Sequence, residues 1–409
     1  MRSTIPAVAP RIDFLDGVRT VAALFVVAHH CWLQVYPGYP ANTGPAWSGW
    51  MLYGHVAVSV FIVVSGFSLS LGPARRGWSL SAGGATEFLR RRAWRILPTY
   101  WAALALSCVV YGLVTRSVTG AAVSPKAIVV HALLLQNLVD SPKPNGAFWS
   151  IAVEWQIYFL FPALLLLRRR CGVVPQLLTV LAVVVVGYYF ADLLPLGRKF
   201  LDLTPQYIVL FVLGSAAAQL LSHAAARWAA AAAAVLGTAF IGLCLALGPV
   251  PVTGAYFWVD MLVGLATACL LAAMHAGRAT LARRVLSVPL LLWTGQFSYS
   301  IYLVHAPVIW LLWHFAVSTW SVSGPALLLA YLATALPVVI ASSWVFFLVC
   351  ERPFLTHRSW DDWARALRRQ RVGQQPAGPA GSGRPTAPGT RGPASPADAS
   401  APATGRADG

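Results

Sequence analysis

The sequence predicts an all-α, polytopic membrane protein: a bundle of about ten transmembrane helices followed by a disordered C-terminal tail. Three observations carry that prediction. The 409 residues are 58% hydrophobic and only 11% charged, against roughly 25% charged in a soluble domain. Apolar runs recur along most of the chain, each about the 20 residues needed to cross a hydrocarbon core of roughly 30 Å. Lysine and arginine gather in short clusters between those runs instead of forming a continuous basic face. The net charge of +17 therefore fits topology signals and does not point to nucleic acid.

Taken in order, the runs place spanning helices at about 14–35, 53–72, 94–114, 149–167, 174–194, 204–223, 226–247, 255–275, 289–313 and 325–350. The first run contains Arg19 and ends in HHCWLQVYPGYP without a small-x-small cleavage site, so it is expected to stay in the mature chain. The stretch KAIVVHALLLQNLV, 126–139, is too short to span and is expected to lie at the interface or to re-enter. An even number of spans puts both termini on one side. With the N-terminus in the cytoplasm, 24 of the 30 Lys and Arg fall inside, five fall outside (Arg116, Lys126, Lys143, Arg198, Lys199) and Arg19 lies within the first helix.

The expected organisation is a cytoplasmic segment 1–13, a transmembrane domain 14–356, a short basic cytoplasmic segment 357–373 and a disordered tail 374–409. That tail is rich in Pro, Ala and Gly and lacks the large apolar residues of a core. The expected location is the cell (inner or plasma) membrane. Six scattered cysteines show neither a C-x-x-C pair nor Cys/His metal spacing, so no metal site is expected.

Ionisable groups inside the apolar runs are the best pointers to function, since each costs roughly 2.5–3.5 kcal/mol near the bilayer centre. Arg19 and His30, eleven residues apart, share a helix face about three turns apart. Asp16, one turn before Arg19, is placed to pair with it; these two read either as an end-of-helix ion pair or as part of a site, and His30 either as a hydrogen-bonded neutral histidine or as part of the same site. His29 points to another face and reads as structural. Glu154, one of three glutamates in the chain, is expected at a depth similar to His30, where a carboxylate could orient an imidazole for acid/base work.

Ser298, Tyr299, Tyr302 and His305 lie in GQFSYSIYLVH and could line a cavity or simply bond between helices. In the second helix, Ser65 and Gly66 permit close helix contact; His55 is expected near the outer interface. Arg92 and Arg95 share a face at the inner end of the third helix, next to Arg91 and below Tyr100. They read either as positive-inside anchors or as a phosphate-binding mouth suited to arginine's forked donors.

Together these residues resemble the acyltransferase-3 family of integral membrane O-acyltransferases over roughly residues 10–356. Arg19 and His30 are similar to its Arg-x10-His motif, Arg92 and Arg95 to its Arg-x-x-Arg motif, and FWSIAVEW to its Trp-Ser-x-x-x-Glu segment. VFIVVSGF, GQFSYSIYLVH and the closing ERPF resemble further patterns. In YGHVAVSVF many relatives have a glycine near His55 and an aspartate near Ser59; this departure looks like an actinobacterial-type branch that includes antibiotic-sugar acyltransferases. Some relatives carry an extracytoplasmic esterase-like domain, and this chain is expected to act without one.

The resemblance implies transfer of an acyl group, most often acetyl, from acyl-CoA on the cytoplasmic side to a sugar hydroxyl. That hydroxyl would belong to a cell-envelope glycan or to a glycosylated metabolite such as a macrolide, as in antibiotic modification. Acyl-CoA is then a co-substrate, with no permanently bound cofactor. His30 is expected to be the general base, supported by Glu154 and Arg19, with Arg92, Arg95, Arg91 and Tyr100 holding the donor. An acyl-histidine relay through His30 is an equally open route. The rival class is a proton-coupled secondary transporter, which also places Arg, His and Glu in the membrane; the sequence shows no internal repeat to favour it.

Overall fold

Hydrocarbon offers a backbone no hydrogen bonds, so segments that cross it must satisfy their N–H and C=O groups internally. All regular structure among the described residues is helical. A computed structural model of the chain describes residues 12–119, 123–193, 195–219 and 222–356, with backbone only for 115–119 and 223. Of the expected segments, 357–373, the tail 374–409 and all but the end of 1–13 lie outside the described residues.

The helices are α1 (Asp13–Val35), α2 (Val56–Arg75), α3 (Gly84–Thr119), α4 (Pro125–Ala132), α5 (Trp149–Cys171), α6 (Val173–Tyr189), α7 (Gly197–Asp202) and α8 (Gln206–Ala217). They continue with α9 (His223–Leu247), α10 (Pro249–Gly254), α11 (Tyr256–His275), α12 (Thr280–Leu286), α13 (Pro289–Gly295), α14 (Ser298–Phe315), α15 (Gly324–Phe346) and α16 (Arg352–Thr356). Among the described residues, eight helical stretches are long and apolar enough to cross a membrane, those of α1, α2, α3, α5, α9, α11, α14 and α15. α6 and α8, at two further expected spans, are apolar but shorter, at 17 and 12 residues, so eight of the ten expected spans have the length to cross. The chain is a multi-pass membrane protein.

α1 is the central post. It packs against α2, α13, α14 and α15, and its buried side chains feed the core on several sides: Phe14 and Val26 with Val63, Phe67 and Phe211, and Val27 and Cys31 with Phe297, Tyr331 and Val339. α9 is the opposite case. None of its apolar window is buried, and it packs on α11 at the rim.

Three local features position the interior. The apolar run 289–313 is not one helix, because the chain breaks between α13 and α14 at Gln296 and Phe297. Gly295 there lies against the backbone of Asp16, and the Thr20 hydroxyl donates to the Leu291 carbonyl at 2.7 Å; α13 thus serves as a brace for α1. The stretch expected to lie at the interface or to re-enter holds the eight-residue α4, and the chain after it is tied into the bundle: the Gln136 amide donates to the Phe148 carbonyl (2.9 Å) and Asn145 to the Leu303 carbonyl (3.1 Å), both as buried bonds. At the arginine-rich end, Arg168 is only 3% exposed. Its guanidinium lies 4.2 Å from the Trp78 ring and donates to Gln219 at 2.8 Å, while Arg169 and Arg170 are exposed.

The crossing of α2 on α8 depends on small residues. A Cβ on Gly66 would land on the Phe211 carbonyl, and one on Gly214 would land on the Val63 carbonyl. Gly66→Ala should therefore cost about 1–3 kcal/mol through overpacking and lower the thermal midpoint of the detergent-solubilised protein. Gly242→Ala on α9, where nothing lies within 4 Å of the added atom, should melt with the wild type. Equal midpoints for the two variants would remove this crossing from the supports of the fold.

Candidate active site

Starting at the arginine-rich end, Arg19 pairs with Asp16 at 3.2 Å, the i, i+3 contact expected from their spacing, and its other terminal nitrogen donates to Ser68 on α2 at 2.8 Å. Ser65, one turn away on α2, meets the Tyr158 hydroxyl at 3.3 Å, and Tyr158 donates to Glu154 at 2.5 Å. Arg92 reaches toward the same place. Its Nε is buried with no hydrogen-bond partner among the described residues, its guanidinium lies 5.8 Å from the Phe88 ring, and Tyr158, Arg95 and Glu154 are within its electrostatic range. Arg95 is exposed and lies within range of Arg19 and of Glu351; Glu351 in turn accepts from Ser300 at 2.5 Å.

Two of the expected donor-holding residues point elsewhere. Arg91 donates to Glu87 at 2.6 Å, on the surface of its own helix. Tyr100 is fully buried, and its hydroxyl donates to the His131 carbonyl at 2.9 Å, which fastens α3 to the end of α4.

At the other end of the track, His30 is half-buried and its ring centre lies 5.2 Å from that of His305 and 5.0 Å from that of His29. His29 is committed: its Nδ1 donates to the Met51 carbonyl at 2.8 Å. His305 is fully buried and its Nδ1 donates to the Tyr302 carbonyl at 2.7 Å. That bond fixes the tautomer and leaves Nε2 as an acceptor, which has no partner among the described residues. Tyr302 joins the two halves. Its hydroxyl donates to the Ala147 carbonyl (2.9 Å) and exchanges a hydrogen bond with Ser150 (2.5 Å), its ring lies 5.7 Å from His305, and Glu154 is within its electrostatic range. Ser298 and Tyr299 serve the backbone, donating to the Gly295 carbonyl (3.0 Å) and the Ile96 carbonyl (3.4 Å).

The expected meeting of Glu154 with His30 does not occur. Among the described residues the hydrogen-bond donor to Glu154 is Tyr158, on its own helix, and the rings beside His30 are those of His29 and His305. The reason is depth. Because Asn145 and Ala147, just before α5, are bonded to Leu303 and Tyr302, α5 begins beside the turn of α14 that precedes His305. One turn further along, Glu154 accepts from Tyr158, within electrostatic range of Arg19 and Arg92.

A second polar cluster lies beside the N-terminus of α2; of its members the sequence singles out His55 and Ser59 but not Asp260. Asp260 of α11 is completely buried. It accepts from Ser59 at 2.6 Å, from Gln206 at 3.2 Å and from His55 Nε2 at 3.3 Å. The Tyr207 hydroxyl stands 2.9 Å from the same His55 nitrogen. A lone acid in YFWVDMLVGL is the same signal that singles out Glu154, so Asp260 was open to detection.

The fold and site define a multi-pass helical membrane protein with ionisable side chains set in series through its interior. The chain belongs to the acyltransferase-3 family, whose model, an acyltransferase domain, matches residues 12–347. It is 29% identical over 175 residues to acyltransferase MdmB of Streptomyces mycarofaciens, covering 41% of this chain and 43% of the relative. It is 26% identical over 325 residues to the putative peptidoglycan O-acetyltransferase YrhL of Bacillus subtilis, covering 73% of this chain and 48% of the relative. With the peptidoglycan O-acetyltransferase OatA of Listeria monocytogenes it shares 24% identity over 181 residues, 41% of this chain and 26% of the relative. The chain thus spans less than half the length of each of these relatives. No solved structure matches it.

The two adjacent histidines should separate by measurement. His29→Leu leaves the buried Met51 carbonyl without its donor, a loss of about 1–3 kcal/mol expected as a lower thermal midpoint in detergent. An unchanged midpoint would mean that the Met51 bond does not support the fold.

Proposed function

We propose that the protein is a membrane O-acyltransferase that moves an acyl group, most simply acetyl, from acyl-CoA to a hydroxyl of a sugar. The reading is supported above all by the polar series that runs from Arg92 and Arg95 past Arg19, Glu154 and Tyr302 to the His30–His305 pair. The family and the printed names of its relatives favour acyl transfer, and two of those relatives are named for peptidoglycan. The acceptor class is accordingly a cell-envelope glycan or a glycosylated metabolite.

In this mechanism the anionic end of acyl-CoA docks at Arg92 and Arg95, whose guanidinium groups match phosphate oxygens in pairs. Arg19 takes part in the same electrostatic field, held in line by Asp16 and Ser68. The narrow pantetheine arm carries the thioester inward to His30. There His30 removes the proton of the acceptor hydroxyl as its oxygen attacks the thioester carbonyl. The tetrahedral intermediate collapses, the C–S bond breaks, and the proton returns from the imidazolium to the departing sulfur. The lone pair on His305 Nε2, buried beside His30, is an acceptor placed to steady the imidazolium. Glu154 acts a layer away, as the carboxylate within electrostatic range of Arg19 and Arg92. The acyl-histidine route uses the same residues in two displacements instead of one.

A general base contributes about 10²–10⁴ in rate. Purified His30→Ala should lose at least 100-fold in free-thiol release from acetyl-CoA with a sugar acceptor, while still inserting and folding. Near-normal release from a folded His30→Ala protein would falsify the assignment.

The arginine-rich end is placed on the cytoplasmic side of the cell membrane, with both termini inside. Cys171, exposed beside Arg169 and Arg170, marks that end. Inverted vesicles should consume added acetyl-CoA and label Cys171 with a membrane-impermeant maleimide; sealed right-side-out vesicles should do neither. Consumption from the opposite face would reverse the proposed donor path.

A further inference from the structure

We propose that His55, held by Asp260, is the anchoring residue for the acceptor, and that the acceptor it takes is a pyranoside whose hydroxyl donates to Nδ1 of this imidazole. The inference rests on the transferase reading above and adds to it the site and chemistry of the second substrate.

The first support is the carboxylate itself. Asp260 is fully buried in an otherwise apolar helix, and its oxygens accept from Ser59 (2.6 Å), Gln206 (3.2 Å) and His55 (3.3 Å). Packing alone would be served equally well by an apolar side chain of the same volume. What the carboxylate adds is a direction for the histidine. A carboxylate oxygen only accepts, so the contact with Asp260 needs the proton on His55 Nε2, with the Tyr207 hydroxyl oxygen, 2.9 Å from the same nitrogen, accepting as well; that tautomer of an imidazole leaves Nδ1 as its acceptor. No described residue bonds to that Nδ1, and the His55 side chain keeps 21% of its surface accessible where the Asp260 side chain has none.

The second support is the clamp on the ring. Tyr256 stacks on His55 at 3.9 Å with an interplanar angle of 12°, and Trp149 stacks at 5.3 Å and 10°. An imidazole held on two sides by aromatic planes and on its edge by a carboxylate presents its remaining nitrogen in one direction.

The third support is the surroundings. The Tyr256 hydroxyl meets that of Tyr39 at 2.5 Å, and Tyr39 is 44% exposed. The Tyr39 ring lies 6.2 Å from His29, the neighbour of His30 in sequence and space. Gly54, beside His55 in the chain, lies against the His29 ring. Exposed aromatic faces next to one directed hydrogen-bond acceptor suit a sugar ring, whose C–H face packs on an aromatic plane while its hydroxyls seek polar groups. Arg92 and Arg95 lie at the far end of the polar series, so donor and acceptor approach His30 from opposite sides.

The probe is the N-acetylglucosamine tetramer, titrated calorimetrically into the full-length protein in detergent without acyl-CoA. The wild type should bind it. Asp260→Asn, which keeps the shape but offers His55 an amide instead of a carboxylate, and His55→Phe, which keeps the stacking but removes the nitrogen, should each weaken binding about tenfold or more, the effect of one good hydrogen bond. In turnover assays with acetyl-CoA both should raise the KM for the tetramer by a similar factor while the KM for acetyl-CoA stays within about twofold. If Asp260→Asn does not fold, His55→Phe carries the test.

Unchanged sugar affinity in folded His55→Phe, or equal rises in both KM values, overturns the anchoring role. Failure of the wild type to bind the tetramer overturns the pyranoside assignment. If sugar binding depends on His55 but acetyl-CoA is not consumed, the binding site stands and the transferase reading falls, so the two failures are distinguishable.

Discussion

A charge inside a bilayer has to be answered by another part of the same protein, because hydrocarbon neither accepts a hydrogen bond nor solvates an ion. The interior of this bundle is organised by that requirement. Arg19 is held between Asp16 on its own helix and Ser68 on α2, Glu154 by Tyr158, Asp260 by Ser59, Gln206 and His55, and Glu351 by Ser300. Several of these bonds join two helices, so each also sets how far one helix stands along another. Polar groups that look like defects in single apolar runs become the registration marks of the assembled bundle. Apolar side chains, which tolerate sliding, then fill the remaining space.

How much of this was legible depended on how local each relation was. The Asp16–Arg19 pair follows from helical spacing alone, and the close contact at Gly66 follows from the size of a glycine; both are present. The separate faces of His29 and His30 follow from the 100° step per residue, and one ring indeed turns to the Met51 carbonyl while the other stays half-buried. The depth of Glu154 was another matter. It is set by hydrogen bonds from Asn145 to Leu303 and from Tyr302 to Ala147, which link residues more than 150 positions apart and leave no periodic trace. Counting turns along α5 alone does not show that the carboxylate meets Tyr158 instead of His30. Asp260 was visible as an isolated acid, but its partners Ser59 and Gln206 look like ordinary small or terminal polar residues until α2, α8 and α11 are brought together.

The two histidine environments differ in a way that matters for chemistry. His30 stands beside another imidazole whose tautomer is fixed by a backbone carbonyl, a setting in which a proton can be taken up and released without a buried carboxylate holding it permanently. His55 stands beside a carboxylate and between two aromatic planes, a setting that holds a ring still. Mobility of a proton in one and rigidity of a ring in the other are complementary properties, and the short stretch through His29, Gly54 and Tyr39 brings them together.

Arg168 has a bearing on how membrane orientation is read from composition. It counts as one positive charge of the triplet that closes α5, but it is sealed over Trp78 and bonded to Gln219, while Arg169 and Arg170 alone face outward. Anionic lipid headgroups respond to a local electric field and not to a residue tally. At this end of α5 the bilayer therefore meets two cations on the surface, and the third behaves as a mechanical part: a flat, hydrogen-bonding plate wedged between the loop after α2 and the end of α8.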